Sequence, residues 1–173
     1  MTGYVEVYTG DGKGKTTAAL GLALRAAGRG FRTYIAQFLK AQPTGEIEAA
    51  KRLAPLVRIE QFGRPGFITV TAGPGDEDLE RARTGLARAL EAMLSGDYEI
   101  IVLDEINTAV HFEILSEKDV LDFLEKRPAA VELVLTGRYA PASFIEKADL
   151  VTEMKAVKHY FDRGVKAREG IEK

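Results

Sequence analysis

Short apolar runs alternate with stretches of helical spacing along the whole chain, and that alternation predicts a mostly parallel α/β sheet flanked by helices. Residues 4–8 (YVEVY) predict a first strand that runs directly into a glycine-rich segment. A helix rich in alanine and leucine follows over 16–29, closed by Gly28-Arg29-Gly30. Residues 33–39 (TYIAQFL) predict a second strand, Gly45–Leu53 a short helix and 57–61 a short strand. The stretch 62–75 carries four glycines and two prolines and reads as a loop. Asp76 reads as an N-cap, with Glu77 and Asp78 set against the positive end of the helix dipole. Leu79, Ala82, Leu86, Leu90 and Met93 then continue at helical spacing to Ser95-Gly96.

The run 100–103 (IIVL) is wholly apolar, as a central strand buried on both faces requires. Residues 120–125 belong to another helix, and 131–135 (VELVL) to a strand that ends in Thr136-Gly137-Arg138. A short helix over 141–148 and a strand over 150–154 close the pattern, which turns irregular and mixed in charge from Lys155. No repeat or linker divides the chain, so residues 1–173 predict one domain.

Composition narrows the chemistry. The net charge of −2 supplies no general attraction for nucleic acid or an anionic membrane. With no cysteine and only His111 and His159, thiolate chemistry is excluded and an imidazole metal site is not expected. No apolar run approaches the roughly 20 residues that cross a bilayer, and no signal peptide is evident, so a cytoplasmic protein is expected.

The segment Gly10-Asp11-Gly12-Lys13-Gly14-Lys15-Thr16-Thr17, between a strand and a helix, has the form of a P-loop. Its glycines let backbone N–H groups converge on phosphate oxygens, where side chains would obstruct the approach or forbid the backbone angles. Lys15 offers a point charge to the phosphates and the Thr16 hydroxyl suits Mg²⁺. The first glycine position of the general pattern is Thr9. Asp104-Glu105, after the apolar strand, is the expected carboxylate half, placed to hold Mg²⁺ beside Thr16 directly or through water. Arg138 and Lys40 each follow a strand at the edge where ligands bind in open α/β sheets. Spacing alone fits a solvated loop arginine equally well for Arg138, and a surface ion pair equally well for Arg25. His111, between Val110 and Phe112, reads as a half-buried histidine, and the basic residues of the tail as solvated. A P-loop of itself serves phosphoryl transfer, ATP hydrolysis or nucleotide-dependent binding, and all three readings stay open on these residues.

Five pieces of the chain together resemble the ATP:corrinoid adenosyltransferases of the BtuR/CobO type (cob(I)yrinic acid a,c-diamide adenosyltransferases). They are the run from Thr9 to Ala19, Gln37-Phe38-Leu39-Lys40, Leu103-Asp104-Glu105-Ile106, Leu135-Thr136-Gly137-Arg138 and the tail from Val157 to Ile171. The tail is the most specific, since P-loop ATPases in general lack it, and Thr9 is usual in this family. The resemblance implies a single-domain P-loop NTPase-like (RecA-like) fold. It implies transfer of the 5′-deoxyadenosyl group of ATP to the Co(I) of a corrinoid, with release of triphosphate, in adenosylcobalamin synthesis or salvage.

On that reading the loop residues Gly10 to Thr17 hold the triphosphate, and Lys15 and Lys13 stabilise its departure. Arg25, Glu105 and Arg138 become further nucleotide contacts, and Thr16, Asp104 and Glu105 hold Mg²⁺ or Mn²⁺. The resemblance also implies a homodimer and a corrinoid or flavin reductase that supplies Co(I). Relatives often carry Gly-Phe-Thr-Trp beneath the corrin; here the stretch is Gly66-Phe67-Ile68-Thr69, so Phe67 is retained and Thr69 is not aromatic.

Overall fold

The computed structural model describes residues 2–64 and 73–172, so Phe67 and Thr69 lie outside the described residues. Six strands, β1 (Val5–Thr9), β2 (Thr33–Phe38), β3 (Val57–Phe62), β4 (Ile100–Asp104), β5 (Glu132–Thr136) and β6 (Leu150–Glu153), form one sheet in the order β3-β2-β4-β5-β1-β6. Every pairing among them is parallel. Among the described residues six α-helices intervene: α1 (Lys15–Ala27), α2 (Gly45–Leu53), α3 (Asp76–Leu94), α4 (Ile106–His111), α5 (Glu117–Glu125) and α6 (Ala142–Lys147). None of the described helices is long and apolar enough to cross a membrane.

The order of the strands makes the site. The chain leaves β1, crosses to β2 and β3, then returns to lay β4 and β5 between β2 and β1. Four strand ends, those of β1, β2, β4 and β5, therefore open side by side on one edge of the sheet. Gln37 pairs with Asp104 in the β2–β4 register and Leu103 with Leu135 in the β4–β5 register. The polar residues that close these strands consequently meet one another.

Burial on both faces explains why the middle strands are apolar. Ile101, Val102, Leu103, Leu133, Val134 and Leu135 have no exposed surface. Burying each such side chain contributes about 1.5–3 kcal/mol. On one face α1 presents Ala19, Ala23 and Ala26, all buried at helical spacing against Ile35, Val102 and Val134. Methyl groups at these positions let the helix that carries the P-loop lie close to the sheet. On the other face α3 crosses over Phe62 at Gly85, where a Cβ would lie 2.7 Å from the ring. Only glycine fits that crossing without displacing Phe62.

One expectation is corrected here, and one helix is added. Gly75, not Asp76, is the N-cap of α3, and the capping carboxylate is Asp78, which accepts the Gly75 N–H at 3.0 Å. Asp78 is also buried and paired with Arg64 Nε at 2.8 Å. The helix α4, which no periodicity announced, occupies residues directly after Glu105.

Away from the strand ends, Glu132 of β5 and Glu6 of β1 lie together, with the Tyr8 hydroxyl donating to Glu6 and the Tyr4 N–H to Glu132 at 2.9 Å. Burial first, and then the hydrogen bond shared with Glu6, push the Glu132 carboxyl up from 4.5 to about 7, against the Tyr4 N–H and Arg127. Between these values the folded protein keeps a proton that the unfolded chain releases, so Glu132 erodes stability as pH rises through the window. Glu132→Gln should therefore unfold at a higher urea midpoint than the wild type at pH 7.5, with the gap narrowing toward pH 5. Urea melts at the two pH values measure this, and a gap that does not depend on pH refutes it.

Candidate active site

The P-loop bends out of β1 through Gly10 (φ +94) and enters α1 through Gly14 (φ +125), both in the left-handed region that glycine alone adopts without strain. The chain also crowds this loop. A Cβ on Gly10 would lie 2.5 Å from the Met154 carbonyl oxygen, and one on Gly12 2.7 Å from the same atom. Gly12 donates its N–H to that carbonyl at 2.6 Å. The glycines are thus required by the segment after β6 as well as by a phosphate. The N–H groups of the first turn of α1, at Lys15, Thr16 and Thr17, lack intrahelical partners and carry the positive end of the helix dipole.

Lys15 is buried, its ammonium donating to the carbonyls of Gly10 and Gly12, each at 2.7 Å. Burial holds it below the ordinary lysine range; Arg138 adds to that, while Glu105, Asp11 and Asp104 oppose it. A cation kept partly desolvated among carbonyls is primed to exchange them for phosphate oxygens.

Asp104 is the hub of the site. Fully buried, it accepts from Thr16 Oγ1 at 2.8 Å and Thr136 Oγ1 at 2.7 Å on one oxygen. Its other oxygen accepts from Lys40 Nζ at 2.8 Å and Gln37 Nε2 at 3.2 Å. For Lys40, burial works downward, but attraction to Asp104 and its hydrogen bond, with Glu105 and Glu46 adding, raise the ammonium above the ordinary value.

A second relay positions Glu105 and Arg138. Glu105 has φ +65, a conformation costly for a non-glycine residue, and its N–H donates to Thr136 Oγ1 at 3.0 Å. Its carboxylate accepts from Thr108 Oγ1 at 2.6 Å, and that hydroxyl accepts the Arg138 N–H at 3.1 Å. Gly137 (φ +130) is required there, since a Cβ would lie 2.8 Å from Thr108 Oγ1. The Arg138 guanidinium reaches over the P-loop to the Asp11 carbonyl at 3.4 Å.

The P-loop, Lys40, Glu105, Thr108 and Arg138 line a cleft of about 850 Å³, with Asp104 buried behind them. Lys13, Lys15, Lys40 and Arg138 give it a cationic floor, with the Thr16 and Thr17 hydroxyls among them, and Glu105 also lines it. Phe112 and Tyr139 form an apolar wall, Tyr139 stacking on His111 with ring centroids 4.0 Å apart. The tail closes another side with His159, Gly170, Ile171 and Glu172. It is tied to itself by Arg168, which donates to Glu172 at 3.1 and 3.2 Å and lies 5.0 Å over the Tyr160 ring. Arg168 nonetheless stays exposed, as Lys155, Lys158, Arg163 and Lys166 do, in keeping with the solvated reading of the tail.

The structure thus brings Gly10 to Thr17, Asp104, Glu105 and Arg138 together. It does not bring Arg25 to the cleft: that residue sits exposed in the last turn of α1, ten residues and about 15 Å along the helix from Lys15. Sequence alone gives Thr108, Thr136 and Gln37 no site role: Gln37 and Thr136 enter only as parts of the resembling segments, and Thr108 lies in α4, which is too short to show a period. His159, Phe112 and Tyr139 also escaped, since only the fold places them at the cleft.

For a divalent cation the donors are hard oxygens. Thr16 gives its hydroxyl hydrogen to Asp104 and so keeps lone pairs for a metal, and Glu105 faces the same space. No group of three or more metal-ligating side chains occurs among the described residues, so phosphates and water would complete the shell, as Mg²⁺ favours.

A family model described as ATP:corrinoid adenosyltransferase BtuR/CobO/CobP matches residues 1–172. A corrinoid adenosyltransferase of Pseudomonas aeruginosa is 37 % identical over 98 % of this chain and 83 % of its own length. One from Escherichia coli K12 is 36 % identical over 98 % of this chain and 85 % of its own. The corrinoid adenosyltransferase CobA of Salmonella typhimurium is 34 % identical with the same coverage.

Removing the hub should be costly. Asp104→Ala leaves Lys40 unpaired and the Thr16 and Thr136 hydroxyls without this acceptor, and should lower stability by about 3 kcal/mol. Denaturant unfolding measures the loss; a value below about 1 kcal/mol would contradict the central place given to this carboxylate.

Proposed function

The chain belongs to the ATP:corrinoid adenosyltransferase family (BtuR/CobO/CobP), and from that premise we propose that its cleft transfers the 5′-deoxyadenosyl group of ATP to the Co(I) of a corrinoid. The observation that carries this reading is the family match over residues 1–172, together with a cleft floor that carries Lys13, Lys15, Lys40 and Arg138. In the reaction the electron pair of Co(I) forms the bond to C5′ of the ribose. The C5′–O bond breaks, and triphosphate leaves with its pair. Co(I) is itself the nucleophile, so the protein's share is to orient the two substrates and to stabilise charge on the leaving group.

The residues divide that work. Lys15, Lys13, the N–H groups opening α1 and Arg138 hold the triphosphate, with the loop residues Gly10, Asp11, Gly12, Gly14 and Thr17 shaping its bed. Thr16, with Asp104 behind it and Glu105 facing it, would hold Mg²⁺ or Mn²⁺, which supplies neutralisation of phosphate charge. Phe112 and Tyr139 offer apolar ring surface to the substrates, and the tail with His159 narrows the mouth. Arg25 acts from outside this cleft or not at all. A homodimer, a corrinoid or flavin reductase as donor of Co(I), and a cytoplasmic setting complete the proposal.

Incubation with ATP, Mg²⁺ and reduced cobalamin should yield triphosphate and a light-sensitive adenosyl–cobalt product in equal amounts. ADP and phosphate formed without corrinoid would instead establish a P-loop ATPase or phosphotransferase. Lys15→Ala should lower the rate by about 100-fold or more, as loss of a charge-stabilising donor does; unchanged turnover would exclude the loop from the reaction.

A further inference from the structure

Lys40 is held in place more tightly than a surface lysine needs to be. Leu39, just before it, has φ +62, a strained conformation for leucine. The Lys40 carbonyl accepts the Gly63 N–H at 2.9 Å, and a Cβ on Gly63 would lie 2.4 Å from the Lys40 nitrogen. This clamp between the ends of β2 and β3 aims the side chain along the floor of the cleft. Its ammonium ends 2.8 Å from Asp104 Oδ2 and 3.5 Å from Thr16 Oγ1. The side chain is 28 % exposed, against 1 % for Asp104, so one flank of the lysine faces the cleft.

The Thr16 hydroxyl and the Asp104 carboxylate are the pair beside which a divalent cation would sit, at about 2.1 Å from a coordinating oxygen. The ammonium of Lys40 fills that same space. Two cations within about 3 Å repel strongly even at the effective dielectric of a protein surface. We infer that Lys40 is an internal counter-cation of Asp104 that a divalent cation displaces, and that the released ammonium turns on its four-carbon stem to bind the triphosphate. The exchange leaves Asp104 compensated throughout and brings one more positive charge to the leaving group with the metal. It rests on the reading of the cleft as a triphosphate site.

Two binding measurements on the full chain test it, without reference to turnover. Mn²⁺ binding in the absence of nucleotide, followed by electron paramagnetic resonance, should tighten about tenfold or more in Lys40→Met, because the competing charge is gone. Inorganic triphosphate, titrated calorimetrically with Mg²⁺ present, should bind Lys40→Met about tenfold or more weakly, for loss of a charge-assisted hydrogen bond. Lys40→Gln, whose amide can still donate to Asp104, should show both changes even if Lys40→Met folds poorly. Unchanged Mn²⁺ affinity or unchanged triphosphate affinity in a folded variant overturns the inference. If Lys15→Ala binds triphosphate as tightly as the wild type does, the phosphate reading of the cleft fails, and the counter-cation role fails with it.

Discussion

Asp104 is a buried carboxylate that must be compensated, and much of the site follows from how the fold compensates it. An ionised carboxylate taken out of water is tolerated only when its oxygens are hydrogen-bonded and its charge is met. Donors arrive from β2, from β5 and from the first turn of α1, with Lys40 supplying the charge. The polar identities of Thr16, Gln37, Lys40 and Thr136 are thus set by one requirement. The crossover that lays β4 between β2 and β5 is what allows all four to reach it. Thr136 extends the network, since the oxygen that donates to Asp104 also accepts the N–H of Glu105 and so steadies a residue in a strained conformation.

The P-loop answers to two constraints at once. A phosphate site needs convergent N–H groups, and glycines serve that need. In this chain the backbone of Met154 and Lys155 already presses on Gly10 and Gly12. The loop's shape is therefore imposed from behind by the segment that leaves β6, and Lys15 fills it from within by bridging two loop carbonyls.

The framework was legible in the sequence because its signals are local. The apolar run 100–103 reads as a doubly covered strand, and Gly10 to Thr17 between a strand and a helix announces itself by spacing. The resemblance drawn from the Thr9, Gln37, Leu103, Leu135 and Val157 segments met a family match over residues 1–172. What stayed hidden depends on where chains cross. Gly85 looks like a helix-weakening residue until Phe62 is found against it. The six residues of α4 are too few to show a period, and Asp76 outcompetes Gly75 as a cap on residue preference while the backbone chooses the glycine. Arg25 shows the opposite failure: it matches a motif, yet the helix carries it away from the cleft. Tyr139, Phe112 and His159 come from three separate segments and line one cleft only because the strand ends gather there.

The hydrogen bond from Gly12 to Met154 has a thermodynamic meaning beyond its geometry. It makes the loop and the segment leading into the tail one cooperative unit of local unfolding, so neither can open while the other keeps its native shape. By linkage, whatever free energy a ligand spends in ordering the loop is conferred on residues 154–155 as protection, and any loosening of that segment is felt as lost affinity in the loop. The tail's influence on the nucleotide is in that sense built into the sheet's edge, before any of its side chains touches a substrate.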